Sequence, residues 1–208
     1  MKNIKLKKHK FKGKLIVFEG IDGSGKTTLL NLTKKYLTEH EIDCVSLKMP
    51  SDFIRNHKIF QDYDNSINPQ TRNDIDLTNL TIFVTGDRLL SLDSQIIPAL
   101  KRGDVVLCDR YCYTGYVRCT NKVIAKLCQR FIKPDLVIYA KIDFTTAKQR
   151  VKSRAEEKDN FYDEMDVLKQ IKKFDDLAKY NNFKIIETTL NQTKINQNLI
   201  DCIKKTVF

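Results

Sequence analysis

The 208-residue sequence has no apolar stretch long enough to cross a membrane and no apolar segment of the length found in a secretory signal. The apolar run from Leu15 to Phe18 is too short for either role. Internal repeats and low-complexity segments are also missing, and hydrophobic residues make up 41% of the chain, which excludes a disordered protein. We therefore expect a cytoplasmic protein with one domain and a large core.

Paired C-x₂-C motifs, which are typical of structural zinc sites, are missing as well. Four of the six cysteines lie between residues 108 and 128, but their spacing does not form zinc knuckles. Reduced thiols are the expectation, and a zinc site is the alternative. The three histidines fit no catalytic pattern, so no role is assigned to them.

Acidic residues are too few to balance the basic ones, and the net charge is +11. Seven lysines fall within residues 1–14. We expect residues 1–13 to form a basic, solvated and frayed N-terminal tail, followed by a single domain over residues 14–208. A segment that tethers the protein to nucleic acid or to a surface is the alternative, although a nucleic-acid partner is not expected.

A phosphate-binding loop follows the first predicted strand, residues 14–19. The sequence from Gly20 to Thr28 fits G-x-x-x-x-G-K-[ST] between a strand and a helix, the context that this motif requires. The N–H groups of the loop and the positive end of the helix suit phosphate oxygens, Lys26 can reach the outer phosphates, and Thr27 can bind Mg²⁺. The predicted nucleotide-binding residues are Gly20, Asp22, Gly23, Ser24, Gly25, Lys26, Thr27 and Thr28.

Strand-like apolar runs alternate with helical patterns along the chain, which predicts an α/β fold with a parallel sheet. The expected strands are residues 14–19, 42–47, 105–108, 136–142 and 183–187. The expected helices are residues 27–40, 74–100 (as one helix or two), 122–132, 145–154, 164–180 and 194–207. Residues 53–73 are polar and irregular, and Gly103 is expected to end the helical stretch before the third strand.

Asp109 follows the third predicted strand and is a candidate ligand for Mg²⁺, and Arg110 beside it can reach phosphate. A structural salt bridge between these two residues is the alternative. The D-x-x-G motif of GTPases does not follow this strand, and Asn121-Lys122 is not followed by the aspartate that specifies guanine. The sequence therefore argues against a regulatory GTPase.

The ordered set of motifs resembles the thymidylate kinase family. After the phosphate loop come Asp87-Arg88 in a long helix, Pro-Ala-Leu-Lys-Arg-Gly at 98–103, Cys-Asp-Arg-Tyr at 108–111 and Lys-Pro-Asp-Leu-Val-Ile-Tyr at 133–139. The resemblance implies a P-loop NTPase fold: a five-stranded parallel sheet with helices on both faces and a short helical lid at about residues 150–163. It also implies transfer of the γ-phosphoryl group from ATP·Mg²⁺ to dTMP or a related nucleoside monophosphate, and a homodimer.

The resemblance further implies roles for single residues. Asp22 would contact the acceptor sugar or the metal, Arg88 would bind the acceptor phosphate, and Arg110 would bridge the two phosphates. In this family the catalytic arginine comes from the loop or from the lid, and the loop position here is Gly23. The predicted catalytic residues are Lys26, Arg110, Arg154, Arg150 and Asp22, and the predicted metal ligands are Thr27 and Asp109. Arg154 is preferred to Arg150, and a solvated charged helix is the alternative for both.

The acceptor side departs from the family pattern. Met49-Pro50-Ser51-Asp52 stands where the family carries an arginine, and we expect Arg55 to substitute for it. Val84 stands one helical turn before Arg88, where the family has a phenylalanine that stacks on the base. The neighbouring Phe83 is rotated by about 100° around the helix.

Further departures follow the third strand. Thr114-Gly115 fits the family, but Arg118 replaces a common aromatic residue, and Asp163 lies one place later than the usual acidic residue. The predicted acceptor-binding residues are Arg88, Val84, Arg110, Thr114, Gly115, Pro50, Arg55 and Asp163. Because the changes lie on one side of the site, they favour an altered choice of acceptor. The alternatives are a different or modified nucleotide acceptor, and an ATP-binding protein without kinase turnover.

Overall fold

The computed structural model describes residues 4–64, 75–153 and 163–208. Five parallel strands form one sheet in the order β2-β3-β1-β4-β5. The strands are β1 (Lys14–Glu19), β2 (Cys44–Lys48), β3 (Val105–Asp109), β4 (Leu136–Lys141) and β5 (Lys184–Glu187). Helices surround the sheet, so the predicted fold class is confirmed.

The helices are α1 (Lys26–Glu39), α2 (Asp52–Arg55), α3 (Lys58–Asp64), α4 (Leu77–Ser91), α5 (Ile97–Arg102), α6 (Cys112–Arg118), α7 (Lys122–Cys128), α8 (Phe144–Lys152), α9 (Glu164–Asn181) and α10 (Gln192–Val207). Helix α6 was not predicted, and α2 and α3 lie in the stretch that was expected to be irregular. Helix α7 ends four residues earlier than predicted, because residues 131–133 bond to the N-terminal segment instead. No helix in the described ranges is both long and apolar enough to span a membrane.

The central strands are buried on both faces, which explains their continuous apolar sequence. Leu15 and Val17 of β1 pack in one hydrophobic cluster with residues of α5, α6, α7 and α9. The alternate residues Ile16 and Phe18 pack in a second cluster with α1 and α10. The sheet is therefore the middle layer of three. The loops that form the site follow the carboxyl ends of its strands.

One helical stretch runs from Leu77 to Arg102, with a π-helical turn at Leu92–Ile96 between α4 and α5. The wider turn lies just before Pro98, which lacks an N–H group and crowds the preceding turn. Asp76 caps the start by accepting a hydrogen bond from the N–H of Asn79 at 2.7 Å. Gly103, with φ of 106°, ends α5 as predicted.

The N-terminal segment is not frayed over residues 4–12. Ile4 is buried, and Leu6 and Phe11 pack against the core. The N–H of Lys133 donates to the carbonyl of Lys7 at 2.7 Å, and His9 bonds to the carboxylate of Asp135 at 3.1 Å. The lysines at positions 5, 7, 8, 10 and 12 are exposed, as expected. The lysine-rich composition obscured the apolar residues that attach the segment to the domain.

Deletion of residues 1–12 should lower the melting temperature by roughly 5–10 °C, because it exposes the surface that Ile4, Leu6 and Phe11 cover. Thermal unfolding of the purified protein measures this change. Replacement of Lys5, Lys7, Lys8 and Lys10 by glutamine is the matched control, since it removes the charge and keeps the packing. An unchanged melting temperature after the deletion would contradict the packing described here.

Candidate active site

The phosphate loop joins the carboxyl end of β1 to the first turn of α1. Lys26 is the first residue of α1, and Gly25 precedes it with a φ of 86°. Thr28 lies in the same first turn and is exposed. Ser24 is buried, and its N–H donates to the carbonyl of Ile21 at 3.3 Å. The positive end of a 14-residue helix therefore faces the loop, which suits a bound phosphate.

Gly23 cannot be replaced by a larger residue without a change in the backbone. It has a φ of 79°, and a Cβ atom there would lie 2.5 Å from the carbonyl oxygen of Ala147 and 3.1 Å from Val151. Both neighbours belong to α8, whose last residues begin the predicted lid. Any side chain at this position of the loop would collide with α8, and residues 20–28 contain no arginine.

Lys26 is buried beside the loop, and its Nζ atom donates to the carbonyl of Ile21 at 2.7 Å. Burial lowers the pKa of Lys26 to about 8, and the positive charge of Arg110 acts in the same direction. The carboxylates of Asp22, Asp109 and Glu19 partly offset these effects. A phosphate in the loop would give this ammonium group a further negative partner.

Thr27 and Asp109 form a direct contact beneath the loop. The Thr27 hydroxyl donates to Oδ2 of Asp109 at 2.6 Å, and Asp109 is paired with Phe18 across the sheet. A hydroxyl and a carboxylate side by side are suitable oxygen ligands for Mg²⁺. Within the described ranges, no group of three or more His, Cys, Asp or Glu residues could hold a metal ion. An ion here would therefore need phosphate oxygens and water as further ligands.

Asp22 bridges two arginines across the loop. Its Oδ1 atom accepts a short hydrogen bond from Arg110, and its Oδ2 atom accepts one from Arg118 at 3.1 Å. Burial would raise the pKa of Asp22, but the charges of Arg110, Lys26 and Arg118 outweigh it and hold this pKa below its usual range. The Asp22 side chain stays 47% exposed, so its carboxylate lies at the surface of the site.

Arg110 connects the phosphate loop with the start of α6. Its Nη1 atom donates to the carbonyl of Gly20 at 3.0 Å and to the hydroxyl of Thr114 at 3.2 Å. Its φ of 74° is in the left-handed region, which a non-glycine residue adopts only at a cost. The N–H of Arg110 donates to the carbonyl of Phe18 at 2.9 Å, which holds the backbone in that conformation. The guanidinium group therefore has a defined position between the phosphate loop and α6.

Glu19 is a buried residue of the site that the sequence analysis missed. Its Oε1 atom accepts hydrogen bonds from the N–H groups of Tyr111 and Thr114, at 2.9 and 3.3 Å, and its Oε2 atom accepts the Thr114 hydroxyl at 2.5 Å. Burial raises its pKa, against the effects of Thr114, Arg110 and Arg88. An acidic residue at the end of an apolar strand was the signal that could have revealed it.

Arg88 projects from α4 and is only 2% exposed. Its Nε atom is buried and has no hydrogen-bond partner among the described residues. Burial lowers the pKa of Arg88 to about 10; Glu19 opposes this change, whereas Arg110 and Arg118 add to it. Gly115 makes room for the guanidinium group, since a Cβ atom there would lie 3.2 Å from Nη1 of Arg88. Arg88 is thus a buried cation with unused hydrogen-bonding capacity.

The loop after β2 is bound to α4 beside Arg88. Asp87 accepts hydrogen bonds from the N–H of Ser51, at 2.9 Å, and from its hydroxyl. The Nε atom of Arg55 donates to the carbonyl of Pro50 at 2.8 Å, so Arg55 bonds to its own loop. Asp52 is exposed. The structure therefore brings Pro50 and Arg55 together next to the helix that carries Arg88.

Val84 is largely buried, and it packs in a small cluster with Ile54, Tyr63 and Leu80. Phe83 is 36% exposed, and its ring lies 5.1 Å from that of His57. Sequence spacing alone placed Val84 on the face of Arg88, but packing against α2 and α3 determines its surroundings.

The two ends of the predicted lid, Arg150 and Asp163, have structural partners. Arg150 donates to the hydroxyl and to the carbonyl of Thr188, at 3.3 and 2.8 Å, and its Nη1 atom lies near Gly25. Asp163 accepts a hydrogen bond from the N–H of Asp166 at 3.0 Å and so caps α9. Residues 154–162 of the predicted lid, which include Arg154, lie outside the described residues.

The cysteines that raised the question of zinc have other surroundings. All six are free thiols, and Cys108, Cys112, Cys119 and Cys128 are buried in the core. Burial raises the pKa of the Cys108 and Cys112 thiols. These side chains therefore behave as small apolar residues of the core.

The parallel sheet, the phosphate loop at a helix terminus, the Thr27–Asp109 contact and the buried arginines together define a P-loop phosphotransferase. The family model described as Thymidylate kinase matches residues 18–200. The chain belongs to the thymidylate kinase family, and it has the fold of the nucleoside monophosphate kinases in that family.

Curated relatives named as thymidylate kinases match over most of the chain. One from Thermoanaerobacter sp. is 30% identical, over 93% of this chain and 98% of that protein. The "Probable thymidylate kinase 1" of Saccharolobus solfataricus is 30% identical, over 94% of this chain and 99% of that protein. The "Probable thymidylate kinase" of Methanocaldococcus jannaschii is 33% identical, over 84% and 86%. The similarity spans bacterial and archaeal proteins of similar length.

Replacement of Lys26 by methionine should stabilise the protein in the absence of nucleotide while it weakens ATP binding. The pKa of Lys26 in the folded protein is about 8, so the charged lysine destabilises the fold, and the whole of this penalty is present below pH 8. This penalty fades as the pH rises toward the ordinary lysine pKa of about 10.4. The gain in unfolding free energy should therefore be about 3 kcal/mol at pH 7 and should shrink as the pH rises to 10.

Urea denaturation of both proteins across this pH range measures the gain, and a loss of stability at pH 7 would contradict the burial cost. Replacement of the exposed Lys101 by methionine is the matched control, and it should show no comparable gain.

Proposed function

We propose that this protein transfers the γ-phosphoryl group of ATP to dTMP and so forms the nucleoside diphosphate. The position of Arg110 is the observation that carries this proposal, since one guanidinium group contacts Gly20 and Asp22 of the phosphate loop and Thr114 of the facing helix. A cation in that position lies between a donor phosphate and an acceptor phosphate. Relatives named as thymidylate kinases support dTMP as the acceptor.

The donor side uses the loop, Lys26 and the first turn of α1 to bind the phosphates of ATP. Loop N–H groups and the helix terminus attract the phosphate oxygens, and Lys26 lies where it can neutralise charge on the outer phosphates. The residues proposed to bind ATP are Gly20, Asp22, Gly23, Ser24, Gly25, Lys26, Thr27 and Thr28. Occupation of the loop would also relieve the burial cost of Lys26.

The acceptor side uses Arg88 and Arg110 to hold the phosphate of dTMP in line with the γ-phosphorus. An acceptor oxygen forms the new bond to phosphorus, and the bond between that phosphorus and the oxygen that becomes part of ADP breaks. The repulsion between the two phosphates is the main obstacle to this approach, and planar arginine forks oppose it. The other residues proposed to line the acceptor site are Val84, Thr114, Gly115, Pro50, Arg55 and Asp163.

Mg²⁺ fits the pair of oxygen ligands at Thr27 and Asp109. When bound, it neutralises charge on the β- and γ-phosphates of ATP. The hydrogen bond between Thr27 and Asp109 holds the two oxygen ligands next to each other. The remaining ligands of the ion would be phosphate oxygens and water.

A homodimer and a cytoplasmic location are also part of the proposal. Helix α4 exposes Ile82, Phe83 and Leu90, and the resemblance implies dimer contacts through this helical stretch. Sedimentation of the purified protein at several concentrations would test the dimer.

A panel of nucleoside monophosphates tests the reaction. Formation of ADP should depend on the acceptor, with dTMP giving the highest kcat/KM, and should stop when EDTA removes Mg²⁺. Efficient turnover of another nucleotide but not of dTMP would instead favour the altered-acceptor alternative. Tight binding of ATP without ADP formation for any acceptor would mean that the protein binds nucleotide without kinase activity.

Replacement of Arg154 by alanine should lower kcat at least about 10²-fold and change the Kd of ATP much less, since the loop excludes an arginine at position 23. Arg150, which already bonds to Thr188, provides the comparison. Its replacement by alanine should affect thermal stability more than kcat. Steady-state kinetics and ATP titration of both variants measure the difference, and an unchanged kcat in the Arg154 variant would overturn the assignment.

A further inference from the structure

Arg118 lies in the site, but neither the family motifs nor the proposed mechanism assigns it a role. It stands at the end of α6, at a position where an aromatic residue is common in the family. Its Nη2 atom reaches across to Oδ2 of Asp22 at 3.1 Å, although the two residues are 96 positions apart in the chain. The fold therefore places a further arginine directly at the phosphate loop.

The contact with Asp22 shows what kind of group fits beside Arg118. One oxygen of the Asp22 carboxylate binds Arg110 and the other binds Arg118, so the two guanidinium groups face the same small volume. Phosphate and carboxylate present similar pairs of oxygens to an arginine fork. An anion that binds Arg110 is therefore also within reach of Arg118.

Unused hydrogen-bonding capacity points to the same conclusion. The Nε atoms of Arg88 and Arg118 are both buried, and neither has a hydrogen-bond partner among the described residues. Arg88 is almost fully buried, and buried donors without partners are costly unless a ligand satisfies them. Arg118 keeps 27% of its side chain exposed, and Asp22 keeps 47%, so an entering anion has access to this part of the site.

We propose that Arg118 is a third acceptor-binding arginine, which binds the 5′-phosphate of the nucleoside monophosphate together with Arg88 and Arg110. Asp22 occupies the space between Arg110 and Arg118 until the acceptor enters, and its carboxylate then releases Arg118 to the phosphate. This inference rests on the proposed function, since it names a further residue that recognises the same acceptor. It also adds a cation to an acceptor site in which the family arginine after β2 is missing and Arg55 is the expected substitute.

Titration calorimetry with dTMP in the absence of ATP tests the inference directly. Replacement of Arg118 by alanine should raise the Kd of dTMP about tenfold or more, because one charge-assisted contact to phosphate is lost. The Arg118→Lys variant should lie between the wild type and the alanine variant, since lysine keeps the charge and lacks the fork. Arg102→Ala is the matched control: Arg102 forms an exposed ion pair with Asp104 at 2.7 Å, and its loss should leave the Kd unchanged.

Thymidine, which lacks the phosphate, separates a phosphate contact from a contact with the sugar or base. Its inhibition constant should stay within about twofold between the wild type and Arg118→Ala, since a nucleoside offers no anion for the arginine fork. An equal loss of affinity for dTMP and thymidine would overturn the phosphate contact. Melting temperatures of the variants, measured in parallel, detect any general loss of structure.

The Asp22→Asn background separates direct binding from positioning through Asp22. If Arg118 contacts the phosphate, its replacement by alanine weakens dTMP binding in this background too. If Arg118 acts only by holding Asp22, the effect disappears there, which would overturn the inference. Normal dTMP affinity in the Arg118→Ala variant would overturn only the role of Arg118. A wild-type protein that binds no nucleoside monophosphate would overturn both this role and the proposed function.

Discussion

The accumulation of positive charge at the carboxyl end of the sheet is the constraint on which the site depends. Among the described residues, one set of charged side chains interacts strongly enough to shift pKa values there: Lys26, Arg88, Arg110, Arg118, Glu19, Asp22 and Asp109. Removal of cations from water is costly, and the lowered pKa values of Lys26 and Arg88 record that cost. Three carboxylates offset four cations only in part. A phosphate anion supplies the missing negative charge, so the same imbalance that reduces the stability of the protein without nucleotide favours nucleotide binding.

The three carboxylates differ in burial, and burial limits what each can do. Glu19 is fully buried and accepts hydrogen bonds from the backbone N–H groups of Tyr111 and Thr114 and from the Thr114 hydroxyl, so it fixes the start of α6. Asp109 is nearly buried and faces Thr27 beneath the loop, which suits a metal ligand. Asp22 is half-exposed and can exchange one partner for another. The role of each carboxylate in this region therefore depends on how deeply it is buried as much as on its residue type.

The parts of the structure that are determined by residues close together in the sequence could be predicted. The first strand, the phosphate loop and the start of α1 are consecutive, and their chemistry is local. Contacts between distant residues could not be predicted, such as that of Arg118 with Asp22, because residue spacing contains no information about them. The N-terminal segment shows a second reason: exposed lysines dominate its composition, while a few alternate apolar residues attach it to the core. Helical spacing placed Val84 on the correct face of α4, but the packing of α2 and α3 made it a core residue.

The departures from the family pattern on the acceptor side form one connected change. The loop after β2 lacks the family arginine near Pro50, and Arg55, the proposed substitute, donates a hydrogen bond to the carbonyl of Pro50. The opposite wall gains Arg118, whose guanidinium group reaches the phosphate loop. In the proposed acceptor site, Arg118 adds to the attraction for an anionic acceptor and places this contact beside Asp22 and the donor loop. Because Asp22 also belongs to the phosphate loop, any rearrangement of its carboxylate on acceptor binding reaches the donor side directly. The proposed roles of Arg110 and Arg118 thus couple the two halves of the site through one carboxylate.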